Sequence, residues 1–582
     1  MQWLVRQLVA RTGPSTKVWL ALVATLLALP SLAAPMFADD FMQARKLAPH
    51  VWGAPFPLGR TGIHGAFDFV SPRGGGIQEA VSEGFLAWWT TPDFQLSFWR
   101  PLSALTHQLD YTIWPHHVWL MHVHTLVWQL GLFAVVAVLF ARLLGPREAV
   151  LAFALYALDD ARAITAGFLA NRNALLAGIF GLVALLLHQR WRSSGTLWAL
   201  PASLLALAMG LLSAELALTT TAWMFAFAVC LDRGPLTRRA LSLVPATLVV
   251  VGWKVVYSAM GFGVSGSGVY VHPLSSPVLF GQRLLERAPQ YALGQLTFIP
   301  SDLGLGLPGP VSLGLSGLGV VLLVGVGWAL RDLLRERPEV RFFALGSALS
   351  LVPICGVFVS DRNLTFVSVG ASALLAIVLV RHLDTPRVGW RGRVLSGLVA
   401  VHLVWAPLLV PVRGLTTLGA DHFLERVVPV DAPDLPERTA VFIWVSTDAW
   451  PGFGRVRAVS VGSEAPRRGV ALVMSEGAAT VERVDDRTLH IAVDRFGALE
   501  MQQMARGPHR PFEVGETVAL PDVQITVEAV DADGRPAVLR AVFAVSIDDP
   551  RLMWQLEDEG TFPLWTPPAV GETVTVGGMP WG

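Results

Sequence analysis

The chain has 582 residues, 53% hydrophobic and only 15% charged, where soluble domains carry about 25% charged residues. So few charges cannot furnish a solvated surface over that length, so lipid covers much of the molecule and a soluble enzyme is excluded. The net charge of zero hides two unlike parts: from Asp431 to Gly582 there are 23 acidic residues, 13 arginines and no lysine, a balance of −10 that leaves +10 on the remainder.

A membrane-crossing helix needs about 20 apolar residues. The first such run covers 18–36, after a cytoplasmic N-terminus (1–17) carrying Arg6, Arg11 and Lys17. It also has the form of a signal peptide, but its long charged lead-in and near-span length favour an uncleaved helix. Further runs fall at 118–143, 148–160, 173–190, 196–212, 215–231, 240–261, 310–330, 341–359, 363–381 and 394–412. The stretch 286–306 holds Pro289, Pro300 and Asp302 and reads as a re-entrant or interfacial segment. The expectation is a polytopic α-helical membrane domain over 18–412, with about 11 spans.

Arginine placement supports this order, because Lys and Arg accumulate on the cytoplasmic side. Clusters at Arg142/Arg147, Arg190/Arg192, Arg233/Arg238/Arg239, Arg331/Arg335/Arg337/Arg341 and Arg381/Arg387/Arg391/Arg393 all fall inside if 286–306 does not cross. Large outer loops are then 37–117 and 263–309, in the plasma (inner) membrane, and the tail is extracytoplasmic, or periplasmic.

After a linker (413–437), residues 438–582 change to period-two runs: TAVFIWV, VRAVSV, VALVM, TLHIAV, VQITVEAV and AVLRAVFAV. Alternation bounded by turn residues, with Asp-Gly in VDADGRPAVL, predicts a β-rich soluble domain of sandwich or barrel type. No nucleophile motif or phosphate loop occurs in it, and nothing in the chain resembles a Walker loop. Its acidity argues against nucleic acid as a partner. Cys230 and Cys355 lie in apolar runs with no zinc spacing and read as small core residues.

Polar side chains in or beside apolar spans are the candidates for function, because burial there is costly. Asp39 and Asp40 stand where the chain leaves the first span, and Arg100, His107 and Asp110 precede the second. His122 and His124 open it; two apart, they point to different helix faces, so no metal site is assigned, and a divalent metal is the one cofactor left room for. Arg162 and Arg172 stand on the outer side against the inside bias, near Asp159 and Asp160. A phosphate ligand explains them, and so does an internal ion pair. Glu215, Lys254, Asp361 and Arg362 complete the set; Lys254 is a lone ammonium in an apolar span, for which Glu215 is a candidate partner.

Four stretches together resemble the GT-C superfamily of integral membrane glycosyltransferases, nearest its protein O-mannosyltransferase-like branch, whose members often carry tetratricopeptide tails. They are Asp39–Asp40 in the first outer loop, FWRPLSALTHQLDYTIW before the second span, ALDDARAITAGFLANRNALLA, and SDRNLTFVSVG opening the penultimate span. SAELAL is similar to that branch's Ser-Lys-Glu stretch, with Ala214 in place of the lysine; Asn363 follows Arg362 where an aromatic is usual, and the tail is β-rich rather than helical repeats. The resemblance implies transfer of a sugar from a polyprenyl-phosphate-linked donor to an acceptor hydroxyl of a protein, lipid or glycan, with inversion. It further implies a first-loop aspartate as base, Asp40 before Asp39, and Arg172 and Arg362 on the donor phosphate with Arg100 and Arg162 behind them. His122, Glu215, Lys254 and Asp361 are further polar candidates. Two other readings fit parts of the pattern: a transporter or lipid flippase, and a non-catalytic anchor presenting the β-rich domain.

Overall fold

With no water at bilayer depth, an apolar run must satisfy its own backbone hydrogen bonds, so helices form wherever such runs occur. The computed structural model describes residues 2–72, 76–385, 389–428, 434–447 and 449–579; Arg387 and Asp431 lie outside them. Among the described residues seven helices are long and apolar enough to cross a membrane: Pro14–Ala33, Val118–Leu143, Leu169–Ser194, Leu236–Ala259, Gly309–Glu336, Val367–Asp384 and Trp390–Val427. The other expected spans form the shorter helices Pro146–Ala157, Ala199–Leu211, Thr219–Cys230 and Pro338–Ile354. Leu241, Leu248, Val251 and Val255 on one long helix, and Leu313, Val321 and Val324 on another, face outward. Such continuous exposed apolar faces are what lipid as solvent selects, and the chain is a polytopic helical membrane protein.

Inside the bundle, small residues let helices approach. Gly181 meets Thr220 and Phe366, and Gly346 meets the ring of Trp223. Trp223, Phe342 and Phe343 pack edge-on with centroids 5.1–6.2 Å apart. The 286–306 region is the helix Pro277–Leu296 followed by a turn, Ser301–Gly306. The helix lies on Gly309–Glu336, where Gln290 donates to Ser312 and Ser316 at 3.0 Å.

Three strands join the two outer loops: β1 (Asp68–Val70), β2 (Gln95–Ser97) and β3 (Gly263–Ser265), antiparallel in the order β1-β2-β3. The tail holds two sheets. A parallel one, β11-β4-β5, is made of β4 (Thr439–Phe442), β5 (Arg468–Ala471) and β11 (Leu552–Gln555). A six-stranded antiparallel one runs β12-β6-β7-β10-β9-β8, from β6 (Ala478–Arg483), β7 (Thr488–Val493), β8 (Thr517–Ala519), β9 (Val523–Val530), β10 (Pro536–Phe543) and β12 (Thr573–Gly577). The Asp-Gly signal sits at the β9–β10 hairpin, where Gly534 has φ +73°. VRAVSV is not a strand but the end of the helix Ala449–Ser460. Parallel strands need a crossover, and this helix supplies it between β4 and β5; the run is too short for period two to be told from 3.6.

One apolar core unites the first outer loop and the tail: Phe41, Trp89 and Phe94 share it with Val441, Ile491 and Leu539. The segment expected as linker contributes Leu424 and Val427 to the same core, from the helix Thr416–Val427, where Asp421 pairs with Arg457 at 2.6 Å. Gly84 marks the closest approach, since a Cβ on it would strike the backbone of Gly469 in β5. Gly62 has a similar positive φ (+72° against +74°) but open space around it. Gly84→Ala is therefore expected to destabilise the protein by about 1–3 kcal/mol more than Gly62→Ala, the cost of overpacking, read as melting in detergent. Equal melting points would show that the loop is not seated on the tail.

Candidate active site

The helix Asp39–Leu47 starts abruptly. Ala38 sits at φ +39°, a conformation that costs a non-glycine residue about 1–3 kcal/mol and persists only where the surroundings enforce it. Successive residues on a helix point about 100° apart, so the two aspartates that follow part company. Asp40 is fully buried; one carboxylate oxygen accepts from the Ala170 N–H at 2.7 Å and the other from the Phe37 N–H at 3.0 Å. Asp39 is half-buried and lines a cavity of about 480 Å³. Enclosure pushes its carboxyl up to about 6, with Arg362 and then Arg100 pulling the other way. Burial pushes Asp40 to about 8, opposed mainly by the Phe37 N–H.

The cavity is walled by residues from several parts of the chain. Asp39 and Arg100 come from the first outer loop, Asn171 and Asn173 from the start of the helix Arg172–Ser194, Lys254 and Tyr257 from the end of Leu236–Ala259, and Arg362 from the turn Asp361–Thr365. Glu215 joins them, and Phe67, Phe98, Phe168, Tyr270 and Phe358 give aromatic surface. Arg100 pairs with Glu215 at 2.6 Å and lies 4.4 Å from the Phe98 ring centroid. Glu215 thus belongs to Arg100, and Lys254 instead rests 5.0 Å from the Tyr257 ring centroid. Arg362 lies between Phe168 and Phe358, 5.4 and 4.9 Å from their centroids. Among the described residues no carboxylate stands within ion-pair distance of Arg362 or Lys254. The cavity therefore presents two cations outside ion-pair distance of any described carboxylate, beside Asp39 and the Arg100–Glu215 pair.

The remaining sequence candidates lie elsewhere. Arg172 is fully buried, paired with Asp110 at 2.5 Å and donating to Thr125 Oγ1 and the Met121 carbonyl at 3.0 Å. Of the two explanations open to an outer-side arginine, it shows the internal ion pair, with Asp110 rather than Asp159 or Asp160. Arg162 is buried and donates to Ser368 Oγ at 3.2 Å. His122 places its two ring nitrogens against the carbonyls of Ala166 and Ala34. Asp361 accepts from the Ser301 N–H at 3.0 Å and pairs with Arg413 at 2.7 Å; Arg413 reaches Asp160 at 2.7 Å as well. This fixes the turn from which Arg362 enters the cavity. Arg413 and Tyr270 carry no sequence signal, whereas Tyr257 lies one helical turn beyond Lys254 and Asn171 and Asn173 flank Arg172. Among the described residues no set of three His, Cys, Asp or Glu side chains gathers as metal ligands.

No protein-family model matches the chain, and no curated protein matches it. Among solved structures it is similar to an Archaeoglobus fulgidus oligosaccharyltransferase tethered with an acceptor peptide, at 14% identity and TM-score 0.41. That match covers 78% of this chain and 64% of the other, so the chain spans less than two thirds of that protein's length. It is also similar to ArnT from Cupriavidus metallidurans bound to undecaprenyl phosphate, at 14% identity and TM-score 0.38, covering 78% and 88%.

Arg172 and Arg362 are expected to behave oppositely on truncation. Arg172→Ala leaves Asp110 buried with only His124, at 2.7 Å, beside it and should cost about 3–5 kcal/mol of stability. Arg362→Ala removes a guanidinium with no ion pair to break and should melt close to wild type. Thermal unfolding in detergent checks both; a harmless Arg172→Ala would contradict the buried-pair assignment.

Proposed function

We propose that the chain is an integral membrane glycosyltransferase of GT-C type. It moves a sugar from a polyprenyl-phosphate-linked donor to an acceptor hydroxyl on the outer face of the membrane, with inversion. The observation that carries this reading is the composition of the cavity: a half-buried carboxylate, Asp39, outside any ion pair, enclosed with Arg362 and Lys254, neither of which stands within ion-pair distance of a described carboxylate. The order of sequence motifs that resembles GT-C enzymes supports it.

In this reading Asp39 is the base. Its carboxylate takes the acceptor proton as the hydroxyl oxygen attacks the anomeric carbon, and the bond from that carbon to the phosphate oxygen breaks. Base catalysis of this kind is worth roughly 10²–10⁴-fold. With its carboxyl near 6, Asp39 is mostly ionised at pH 7 and close enough to neutrality to accept a proton. The lipid phosphate leaves with growing negative charge, and fixed donors in an enclosed site stabilise such charge far better than water-exposed ones. Arg362 and Lys254 are placed for that role, and Arg100, already held by Glu215, adds to the field. Asp40 keeps the backbone in place rather than touching substrate, because both of its oxygens already accept backbone N–H groups. The acceptor is a protein, lipid or glycan hydroxyl, and the tail stands on the acceptor side of the membrane.

The test uses the purified full-length protein with radiolabelled lipid-linked sugars from a membrane extract, scoring transfer and loss of donor. Wild type should transfer, and Asp39→Asn should lose about a hundredfold or more. A carboxyl raised on folding binds its proton more tightly in the folded state, so its contribution to stability falls as pH rises through about 4 to 6. Asn removes that burden, so the variant should melt no lower than wild type at pH 7. The wild-type rate should climb with pH through about 6 and level off above it, as the base loses its proton. Full activity in Asp39→Asn, or no turnover by wild type across a full range of donors, would overturn the proposal.

A further inference from the structure

A second cleft, of about 280 Å³, lies where the first outer loop meets the tail. Trp89 and Phe496 meet edge-on at 5.2 Å and Phe496 meets Phe512 at 5.8 Å, giving it an aromatic floor. Trp89 is 1% exposed and its buried indole N–H has no hydrogen-bond partner. Buried donors are almost always satisfied, and this one belongs to a residue of the cleft lining.

The rim is rich in charge yet neutral in balance. Arg506 forks onto Glu516 at 2.6 and 2.9 Å while lying 3.6 Å from the Phe512 ring centroid. Arg510 holds Asp93 at 2.6 Å and Arg535 holds Asp533 at 3.4 Å. Each guanidinium thus comes with its own carboxylate, which removes the pull on an anion and leaves adjacent donors and acceptors. Paired donors and acceptors over aromatic faces suit vicinal hydroxyls above an apolar ring surface.

The cleft is also close to the first cavity. The Gly507 N–H donates to the Gly266 carbonyl and the Gly268 N–H to the Gln503 carbonyl, both at 2.9 Å. Gly507 and Gln503 line the cleft, whereas Val264, two residues before Gly266, lines the cavity of Asp39. Two residues of chain span at most about 7 Å.

We propose that this cleft binds neutral carbohydrate and serves as the acceptor-glycan subsite of the transferase. The acceptor role rests on the transferase reading; carbohydrate binding does not. The experiment offers labelled full-length protein in detergent to an array of neutral α- and β-linked hexose and N-acetylhexosamine oligosaccharides. Uronic-acid and sulfated counterparts and a set of Ser/Thr peptides stand beside them. Neutral oligosaccharides should be retained, and retention should weaken about tenfold or more in Phe512→Ala and in Arg535→Ala. Phe512 is only half-buried and Arg535 partly exposed, so both variants should melt near wild type; if the first does not, Arg535→Ala decides. Retention of no neutral glycan, equal retention by both folded variants, or preference for acidic glycans or peptides overturns the proposal. The readout needs no donor, so failure of the transferase reading leaves it standing, and an active transferase that retains no neutral glycan overturns the cleft alone.

Discussion

The carboxylate of Asp40 joins two segments that are far apart in the chain, taking the N–H of Phe37 with one oxygen and that of Ala170 with the other. Hydrogen bonds of this kind are worth about 0.5–1.5 kcal/mol each, so the two together match the strain of about 1–3 kcal/mol at Ala38, held at φ +39°. That backbone turn directs the next residue, Asp39, into the cavity. Asn171 and Asn173 follow Ala170 directly and form the facing wall. One buried side chain thereby sets the position of its half-buried neighbour and of the surface across from it.

Arg413 plays the matching part on the far side. It ties Asp361 to Asp160, so the turn carrying Arg362 is anchored by buried Asp361 while half-buried Arg362 faces the cavity. Arg172 with Asp110 closes the third junction, between the helices Pro101–Ile113 and Arg172–Ser194. In each pair of neighbours, Asp39 with Asp40 and Asp361 with Arg362, one residue is used by the fold and the other faces the cavity. The strands β1 and β3 add Phe69, Gly263 and Val264 to the cavity wall, and an apolar wall lowers the local dielectric, so charges inside act more strongly.

Much of the membrane half is legible from the sequence because lipid enforces a simple rule, apolar length, and the helices fall where the apolar runs are. The tail's period-two runs are legible for the same reason, with a half-buried strand alternating by geometry. What escapes is which of two adjacent aspartates faces the cavity, because that depends on one backbone angle at Ala38. Partner choice escapes as well: Arg172 finds Asp110 and Glu215 finds Arg100, pairs between segments whose separation in sequence carries no information about contact. VRAVSV becomes a crossover helix because β4 and β5 run parallel, a fact of topology that a six-residue pattern does not contain.

The most direct test of the central claim, that the unpaired cations of the cavity receive a lipid phosphate, is the affinity of the full-length protein for a polyprenyl phosphate, measured by native mass spectrometry in detergent. Wild type should bind it and Arg362→Ala should bind about tenfold more weakly or worse, as expected when one charge-assisted contact is lost. Arg162→Ala, altered outside the cavity, should bind as wild type does. Equal binding by wild type and Arg362→Ala, or an equal loss in Arg162→Ala, would contradict the account.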